Sequence, residues 1–390
     1  MIYQAIVVGA GPAGSAAAIT LARAGISVLL LDRDSFPRDK TCGDLIGSQA
    51  LQLTYRLGVP RESFTIFPPL RGFALHTANN QVKQPPPDAA RGLEARVVPR
   101  IVFDTILVHQ ALRLGVTFRQ LKVTAVLRHP GDPVLSVRGI AGDETITCSA
   151  RILIGADGWN SLVARSIGPG FKNTAGPHSI GIATRAYVTR PAGNDGRIHF
   201  YFTHEIQPGY GWFFPIDSWH ANVGLGMLIT PDQRPDCAQM LRQRLTHLLH
   251  APDSPARPLL DGVASITAIR TWPLALGWVP RRLVADGVLL AGDAAAFISP
   301  LTGAGIFNAM RSGILAAQVA AAALRAGDCS AAALATYERL CRRILQPRLR
   351  IEATAQRILA APARLNLLGA MLRALPALDH LTTRIIFNLG

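Results

Sequence analysis

Several groups of residues in this chain have the types and spacing to do chemistry. The first is Gly9-Ala10-Gly11-Pro12-Ala13-Gly14, with Asp32 eighteen positions past its last glycine. Gly9 permits a tight turn, Gly11 lets a phosphate approach the backbone, and Gly14 lets a helix pack closely on a strand. A helix opening there offers free N–H groups and partial positive charge to phosphates. Asp32 can accept hydrogen bonds from a ribose. The second group is Gly155-Ala156-Asp157-Gly158, where an acid follows the apolar run 152–154. Asp157 there reads either as a ligand contact at a strand end or as a helix cap. The third is Gly292-Asp293 with the small-residue loop Pro300-Leu301-Thr302-Gly303-Ala304-Gly305. Asp293 can accept from polyol hydroxyls, and the helix that opens behind the loop suits negative charge developing on a ring. A fourth group, Tyr210, Trp212 and Phe214, alternates at period two and so shares one strand face, as core or as pocket wall.

The elements that must position these residues are legible in outline. Residues 1–32 read as strand, helix and strand. The charged loop 34–44 contains Cys42 and Gly43, and a helix is expected over 48–57. Residues 71–84 alternate like strands and end in the triple proline 85–87, a rigid elbow. A helix is expected over 103–114, a strand meander over 116–148 with a turn at 130–133, and a short buried strand over 152–154. Alternating segments at 180–188, 197–203 and 221–229 suggest an antiparallel sheet, with a helix over 236–250. A buried strand at 288–291 precedes an alanine-rich helix over 304–326, and two or three more helices fill 331–390.

Nucleotide-type strands thus stand at both ends with an antiparallel block between them. The expected fold is α/β, a discontinuous Rossmann-type nucleotide domain with an inserted antiparallel-sheet substrate domain and a helical C-terminal region. The expected boundaries are 1–70, 97–176 and 280–330 for the nucleotide domain, 71–96 and 177–279 for the substrate domain, and 331–390 for the helical region.

Bulk properties narrow the class. At 390 residues, 49% of them apolar, the chain can bury a large core. No uninterrupted apolar run reaches the roughly 18–20 residues that span a bilayer. The chain opens directly on a strand, without a basic n-region or cleavage site, so a cytoplasmic location is expected. Five cysteines, at 42, 148, 237, 329 and 341, form no CxxC pair and suggest neither a disulfide framework nor a zinc site. The ten histidines show no metal-ligand spacing, and no metal is expected. The net charge of +15 reads either as attraction to an anionic membrane or acidic substrate, or as arginine-rich composition. The arginines are scattered and no recognition module is present, so nucleic acid is not an expected partner. Leu365, Leu368, Met371, Leu372 and Leu375 share one helical face in 364–375, opposite Asn366, Gly369 and Arg373. With Arg342, Arg343, Arg348 and Arg350 nearby, this segment reads as an interfacial membrane helix or as a helix packed on the substrate domain.

The glycine fingerprint, Asp157 in its Gly-Asp-Gly setting and Gly292-Asp293 with its loop occur in the order and spacing of group A flavoprotein monooxygenases and their relatives. Within them, Phe36-Pro37-Arg38-Asp39-Lys40-x-Cys42-Gly43-Asp44, Arg100-x-x-Phe103-Asp104-x-x-Leu107 and Tyr210-x-Trp212-x-Phe214-Pro215 resemble the geranylgeranyl reductase family. The resemblance runs from residue 1 to about 320. It implies FAD as cofactor, with NAD(P)H or a protein electron donor as reductant. It also implies reduction of C=C bonds in a hydrophobic isoprenoid-type substrate (prenyl lipid, quinone or pigment chain) by hydride transfer from reduced flavin. The alternative is a flavin-dependent monooxygenase, hydroxylase or epoxidase, that uses NAD(P)H and O2. Halogenation is disfavoured, because the halogenase WxWxIP pattern is replaced at 210–215.

Carried over residue by residue, the resemblance implies that Gly9, Gly11, Gly14 and Asp32 hold the ADP half of FAD, with Pro12, Ala13 and Arg33 also binding the cofactor. Arg100 and Asp157 belong to the same cofactor set. Gly292 and Asp293 would serve the pyrophosphate or ribityl chain, and Pro300, Thr302, Gly303, Ala304 and Gly305 the flavin ring. Cys42 and Gly43 would approach the ring from its other side. Cys42, Gly43, Tyr210, Trp212, Phe214 and Pro300 make up the expected catalytic set. Ala304 stands where the family more often carries an acid. The expected partners are a hydrophobic or lipid substrate and, peripherally, the anionic inner face of the membrane.

Overall fold

The structure, a computed structural model, describes residues 2–77, 82–83, 94–128, 134–171, 180–190, 193–229, 236–277 and 281–359. The proline run 85–87, the turn at 130–133 and the amphipathic segment 364–375 lie outside the described residues. The fold is α/β, as the segment order implies, and is built on two eight-stranded sheets.

The first sheet runs Val284–Ala285, Val288–Leu290, Glu144–Gly155, Ile2–Val8, Val28–Asp32, Thr117–Gln120. All pairings along this order are parallel except the first, Val284–Ala285 with Val288–Leu290. Strands such as Val28–Asp32 are buried throughout, as parallel strands covered on both faces must be. Strand register brings the motifs together. Leu31, Val8, Gly155 and Leu290 stand in one row across four strands. The loops that leave those strands therefore start side by side, and the glycine turn, Asp32, Asp157 and Gly292-Asp293 emerge along one edge.

The buried run 152–154 is not a short strand of its own. It is the last part of the twelve-residue Glu144–Gly155, which first pairs antiparallel with Leu135–Ala141 and from Ser149 onward parallel with Ile2–Val8. Its first half is largely exposed, so it carries no continuous apolar signal. The helix expected from 103 begins at Arg100, directly behind Pro99.

Two helices meet at near backbone contact beneath the edge, Pro12–Arg23 and Ile306–Ala326. A Cβ on Gly313 would lie 2.1 Å from the Ala13 carbonyl oxygen, so the pair can approach this closely only with glycine there. Ile306–Ala326 is long and apolar enough to cross a membrane by length and composition, but 67% of its apolar window is buried inside the protein. It is a core helix.

The second sheet runs Ser265–Ile266, Ile180–Thr189, His220–Leu228, Gly209–Pro215, Arg197–Phe202, Gly72–Thr77, Val82–Lys83, with Arg270–Ala275 also paired to Ile180–Thr189. Among the described residues its pairings are antiparallel except one: Arg197–Phe202 lies parallel to Gly72–Thr77. Those strands come from distant stretches of chain, and no hairpin forces them antiparallel. The period-two pattern divides the sheet. Phe213, Tyr201, Val223 and Leu225 pack behind it against Leu241, Leu245, Leu248 and Leu249 of the helix Cys237–His250. Tyr210, Trp212, Phe214 and Phe200 face the first sheet.

Candidate active site

The glycine turn has the geometry its residue types demand. Gly9 has φ +99°, and a Cβ on Gly14 would sit 1.7 Å from the Gly9 carbonyl oxygen. Gly11 differs from both. A Cβ there would meet nothing nearer than the guanidinium nitrogens of Arg38 and Arg100, at 3.7 and 3.9 Å. The space beside Gly11 is therefore open and faces two cations, which is where a diphosphate fits. Arg100 is buried and clasps Asp104 in a fork, Nε to Oδ1 at 2.6 Å and Nη2 to Oδ2 at 2.7 Å. Burial works against its charge, and the Asp104 carboxylate more than offsets that. Arg38 joins the same carboxylate at 3.2 Å and lies 3.8 Å from Asp32.

Asp32 supports the turn directly. One carboxylate oxygen accepts the Ala10 N–H at 2.7 Å and the other the Asp34 N–H at 3.1 Å. Arg33 points away: it is exposed, pairs with Asp34 at 3.3 Å and stands over the Trp272 ring. Asp157 is half-buried and turns toward the start of the helix that follows it. Its carboxylate accepts from Ser161 Oγ at 2.5 Å, Leu162 N at 2.6 Å and Val163 N at 3.1 Å, the geometry of a cap on Leu162–Ile167. Burial raises its pKa against those hydrogen bonds.

The loop 36–44 is fastened at nearly every second residue. Arg38 reaches Asp104. Asp39 accepts from Arg185 at 2.5 Å and lies 3.4 Å from Arg270. Lys40 lies 3.4 Å from Asp293. The Cys42 carbonyl accepts from Asn222 Nδ2 at 2.8 Å. Asp44, wholly buried and left-handed at φ +62°, accepts from Tyr187 Oη at 2.7 Å and from Asn222 Nδ2 at 2.8 Å. Burial lifts the Asp44 carboxyl to about 6 against those two hydrogen bonds. Burial also raises the Cys42 thiol, and the Asp44 charge adds to it, so Cys42 carries its proton at neutral pH.

Opposite this loop stands the aromatic wall. Trp212 and Phe214 stack with ring centroids 5.9 Å apart, and Tyr210 leans on Trp212 at 6.0 Å. A Cβ on Gly43 would lie 3.1 Å from the Phe214 ring, so the loop meets the wall there at van der Waals distance. The Tyr210 hydroxyl donates to the Thr302 carbonyl, and burial raises its pKa. The 300–305 loop holds itself in place: Ser299 Oγ accepts from Thr302 N at 3.1 Å, and Gly303 N donates to Ser299 O at 3.0 Å. Gln356 Nε2 donates to the Pro300 carbonyl. Ile306–Ala326 then starts behind Gly305 without a side-chain cap, so its first N–H groups have no side-chain partner among the described residues.

One cavity joins these parts. Pro12, Cys42, Gly43, Arg100, Tyr210, Trp212, Phe214, Asp293, Pro300, Gly303 and Gly305 all line it. Its remaining wall is largely apolar and includes Ala183, Phe202, Met227, Leu228, Leu274 and Ile298. Gly9, Gly11, Ala13, Gly14, Asp32, Gly292, Thr302 and Ala304 stand behind this lining as turn and loop backbone. Arg33 and Asp157 do not reach it. The motif reading missed Asn222, Tyr187, Arg185 and Gln356, and gave Asp44 no role. An asparagine and an arginine inside otherwise apolar strands were the available signals.

The FAD binding domain family matches residues 3–350. This chain belongs to that family. A digeranylgeranylglycerophospholipid reductase of Methanothermobacter thermautotrophicus is 34% identical over 349 residues, 86% of this chain and 81% of the relative. A menaquinone reductase of Mycolicibacterium smegmatis is 30% identical over 319 residues, 80% of this chain and 75% of the relative. Within the FAD binding domain family, the protein is a geranylgeranyl reductase-like FAD-dependent oxidoreductase. Its fold matches a geranylgeranyl bacteriochlorophyll reductase-like structure from Thermoplasma acidophilum, with TM-score 0.80 and 24% identity over 92% of this chain and 88% of the other. A flavin-dependent brominase triple mutant shares the fold too, with TM-score 0.74 and 21% identity over 97% and 95%.

Proposed function

We propose that this protein reduces carbon–carbon double bonds of a hydrophobic isoprenoid-type substrate: a prenyl lipid, a quinone or a pigment chain. The observation that carries the reading is the largely apolar cavity. It runs from the helix N-terminus behind Gly305, past the thiol of Cys42, to the Tyr210, Trp212 and Phe214 wall. Relatives that reduce a polyprenyl lipid or menaquinone, as their names state, support it.

FAD, when bound, supplies the hydride chemistry, with NAD(P)H or a protein donor as reductant. The chain's own residues do the rest. Gly9, Gly11 and Gly14 with Arg38 and Arg100 fit the diphosphate, and Asp32 retains lone pairs for a ribose hydroxyl. Asp293 is placed for the pyrophosphate or ribityl chain, and the capless end of Ile306–Ala326 for negative charge on the ring. The aromatic wall excludes water and orients the alkene. Cys42 Sγ holds a proton at the cavity surface for the carbon that takes no hydride. Strands of the second sheet support 71–96 with 177–279 as the substrate domain, 1–70 with 97–176 and 280–330 as the FAD domain, and 331–390 as the helical region.

The test is to reduce the enzyme anaerobically and add candidate prenyl lipids and quinones. Flavin reoxidation with a saturated product is expected. Reoxidation only on admitting O2, with an oxygenated product, would replace this reading by the monooxygenase one.

Exposed Ile344 and Ile351, set among Arg342, Arg343 and Arg357, also favour peripheral contact with an anionic membrane. Co-sedimentation with anionic liposomes at low salt checks it; no binding there removes it.

A further inference from the structure

The side chain of Asn222 makes three hydrogen bonds, and together they admit one orientation. The Trp212 indole N–H can only donate, so the oxygen at 2.8 Å from it is Asn222 Oδ1. The amide nitrogen then faces two groups that only accept, the Cys42 carbonyl and the Asp44 carboxylate, each at 2.8 Å. Both Asn222 and Asp44 are 0% exposed, and neither lines the cavity. Asp44 is held in turn by the Tyr187 hydroxyl at 2.7 Å, by the Arg100 N–H at 3.3 Å, and through its own carbonyl by the Val98 N–H at 2.8 Å. Arg185 lies 4.0 Å over the Tyr187 ring and ties it to Asp39.

We infer that Asn222 and Asp44 are positioning residues that set the spacing between Cys42 and Trp212, which stand side by side in the cavity wall. Cys42 sits on a loop without regular structure, whereas Trp212 sits in the middle of a sheet. The Asn222 amide holds both. Its chemistry is hard to replace. Aspartate at 222 would set a second acceptor against the Cys42 carbonyl and a second carboxylate against Asp44. Leucine would leave the indole N–H, the Cys42 carbonyl and one carboxylate oxygen each short of a buried partner. The inference rests on the reading of Cys42 and Trp212 as parts of one reaction cavity.

The test uses the FAD-loaded full chain with Asn222→Asp, Asn222→Ala and Asp44→Asn. Alkylation of Cys42 by N-ethylmaleimide is followed by peptide mass spectrometry, with Cys329, a partly exposed cysteine, as internal reference. Each variant should alkylate Cys42 severalfold faster relative to Cys329. With an accepted substrate, kcat should fall by about 100-fold while KM for the reductant and FAD content stay put, as a displaced reacting group predicts. Asn222→Asp is the severest change. Should it not fold, the isosteric Asp44→Asn is read on the same two measurements. Unchanged relative alkylation of Cys42 in the folded variants overturns the clamp. Faster alkylation in an enzyme that reduces no alkene would instead uphold the clamp and overturn the proposed reaction.

Discussion

Lys40 Nζ lies 3.4 Å from Asp293 Oδ2, joining two residues 253 positions apart. The contact closes the 36–44 loop over the strand end that begins the 292–305 segment. Both side chains are largely shielded from water, so screening is weaker than for a surface pair. A charged hydrogen bond of this kind contributes about 1.5–3 kcal/mol. Lys40→Met should therefore raise the Kd for FAD by roughly tenfold or more. Titration of the apoprotein with FAD, followed by quenching of flavin fluorescence, reads it. An unchanged Kd would mean that the loop closes without this pair.

Two glycines only three apart should respond in opposite ways. The Gly14 position has no room for a methyl group, because its Cβ would overlap the Gly9 carbonyl oxygen at 1.7 Å. Gly14→Ala should fail to fold or melt far below the parent. Gly11→Ala meets no protein atom closer than 3.7 Å and should melt as the parent does without cofactor. It should nonetheless bind FAD poorly, since its methyl group fills the space facing Arg38 and Arg100. Thermal melts without FAD and binding titrations with it separate the two, and a Gly11→Ala protein that binds FAD normally would place the diphosphate elsewhere.

Asp157 offers a direct choice between two roles. Its carboxylate takes three hydrogen bonds at the start of Leu162–Ile167. Loss of a cap costs about 0.5–2 kcal/mol. Asp157→Ala should lower stability by about that amount and leave FAD affinity within threefold of the parent. A rise in Kd above roughly tenfold, which is about 1.4 kcal/mol, would instead give the carboxylate a part in holding the ligand.

Asp44 makes stability depend on pH. Burial raises its carboxyl to about 6, above the unfolded value of about 3.9. The folded state thus binds more protons between about pH 4 and 6, and stability is lost as pH rises through that window. The charged or titratable groups around it are Cys42, Arg100, Arg185 and Tyr187, and all remain in Asp44→Asn. The variant does not titrate at this position. Its stability relative to the parent should rise by about 2 kcal/mol between pH 4 and pH 7. Urea unfolding at the two pH values measures the difference, and a flat difference would show that Asp44 titrates normally.

The parts of the site that repeat a local pattern could be read from the chain. The glycine turn, the two later strand ends and the alternation of Tyr210, Trp212 and Phe214 all carry their meaning within a few residues. Register then brought the strand ends into one row, which parallel pairing makes a necessity once those strands are neighbours. What could not be read depends on contacts between remote residues. Tyr187 meets Asp44 across 143 positions and Asn222 meets it across 178, and no periodicity announces either bond. The continuity of Glu144–Gly155 hid for another reason: its largely exposed first half reads as part of the meander over 116–148, and only its second half enters the core.

The parallel pairing of Gly72–Thr77 with Arg197–Phe202 has a consequence for biosynthesis. A strand made early must wait, unpaired along that edge, until more than a hundred further residues have left the ribosome. The first sheet waits longer still, because Glu144–Gly155 finds its outer parallel neighbour only in Val288–Leu290. Neither sheet can close before about three quarters of the chain has emerged. Domains generally fold as units during synthesis, the N-terminal one first. Here the two sheets are stitched through each other in chain order, so the protein is expected to commit to its fold late and as a whole, with nascent edges that call for a chaperone until then.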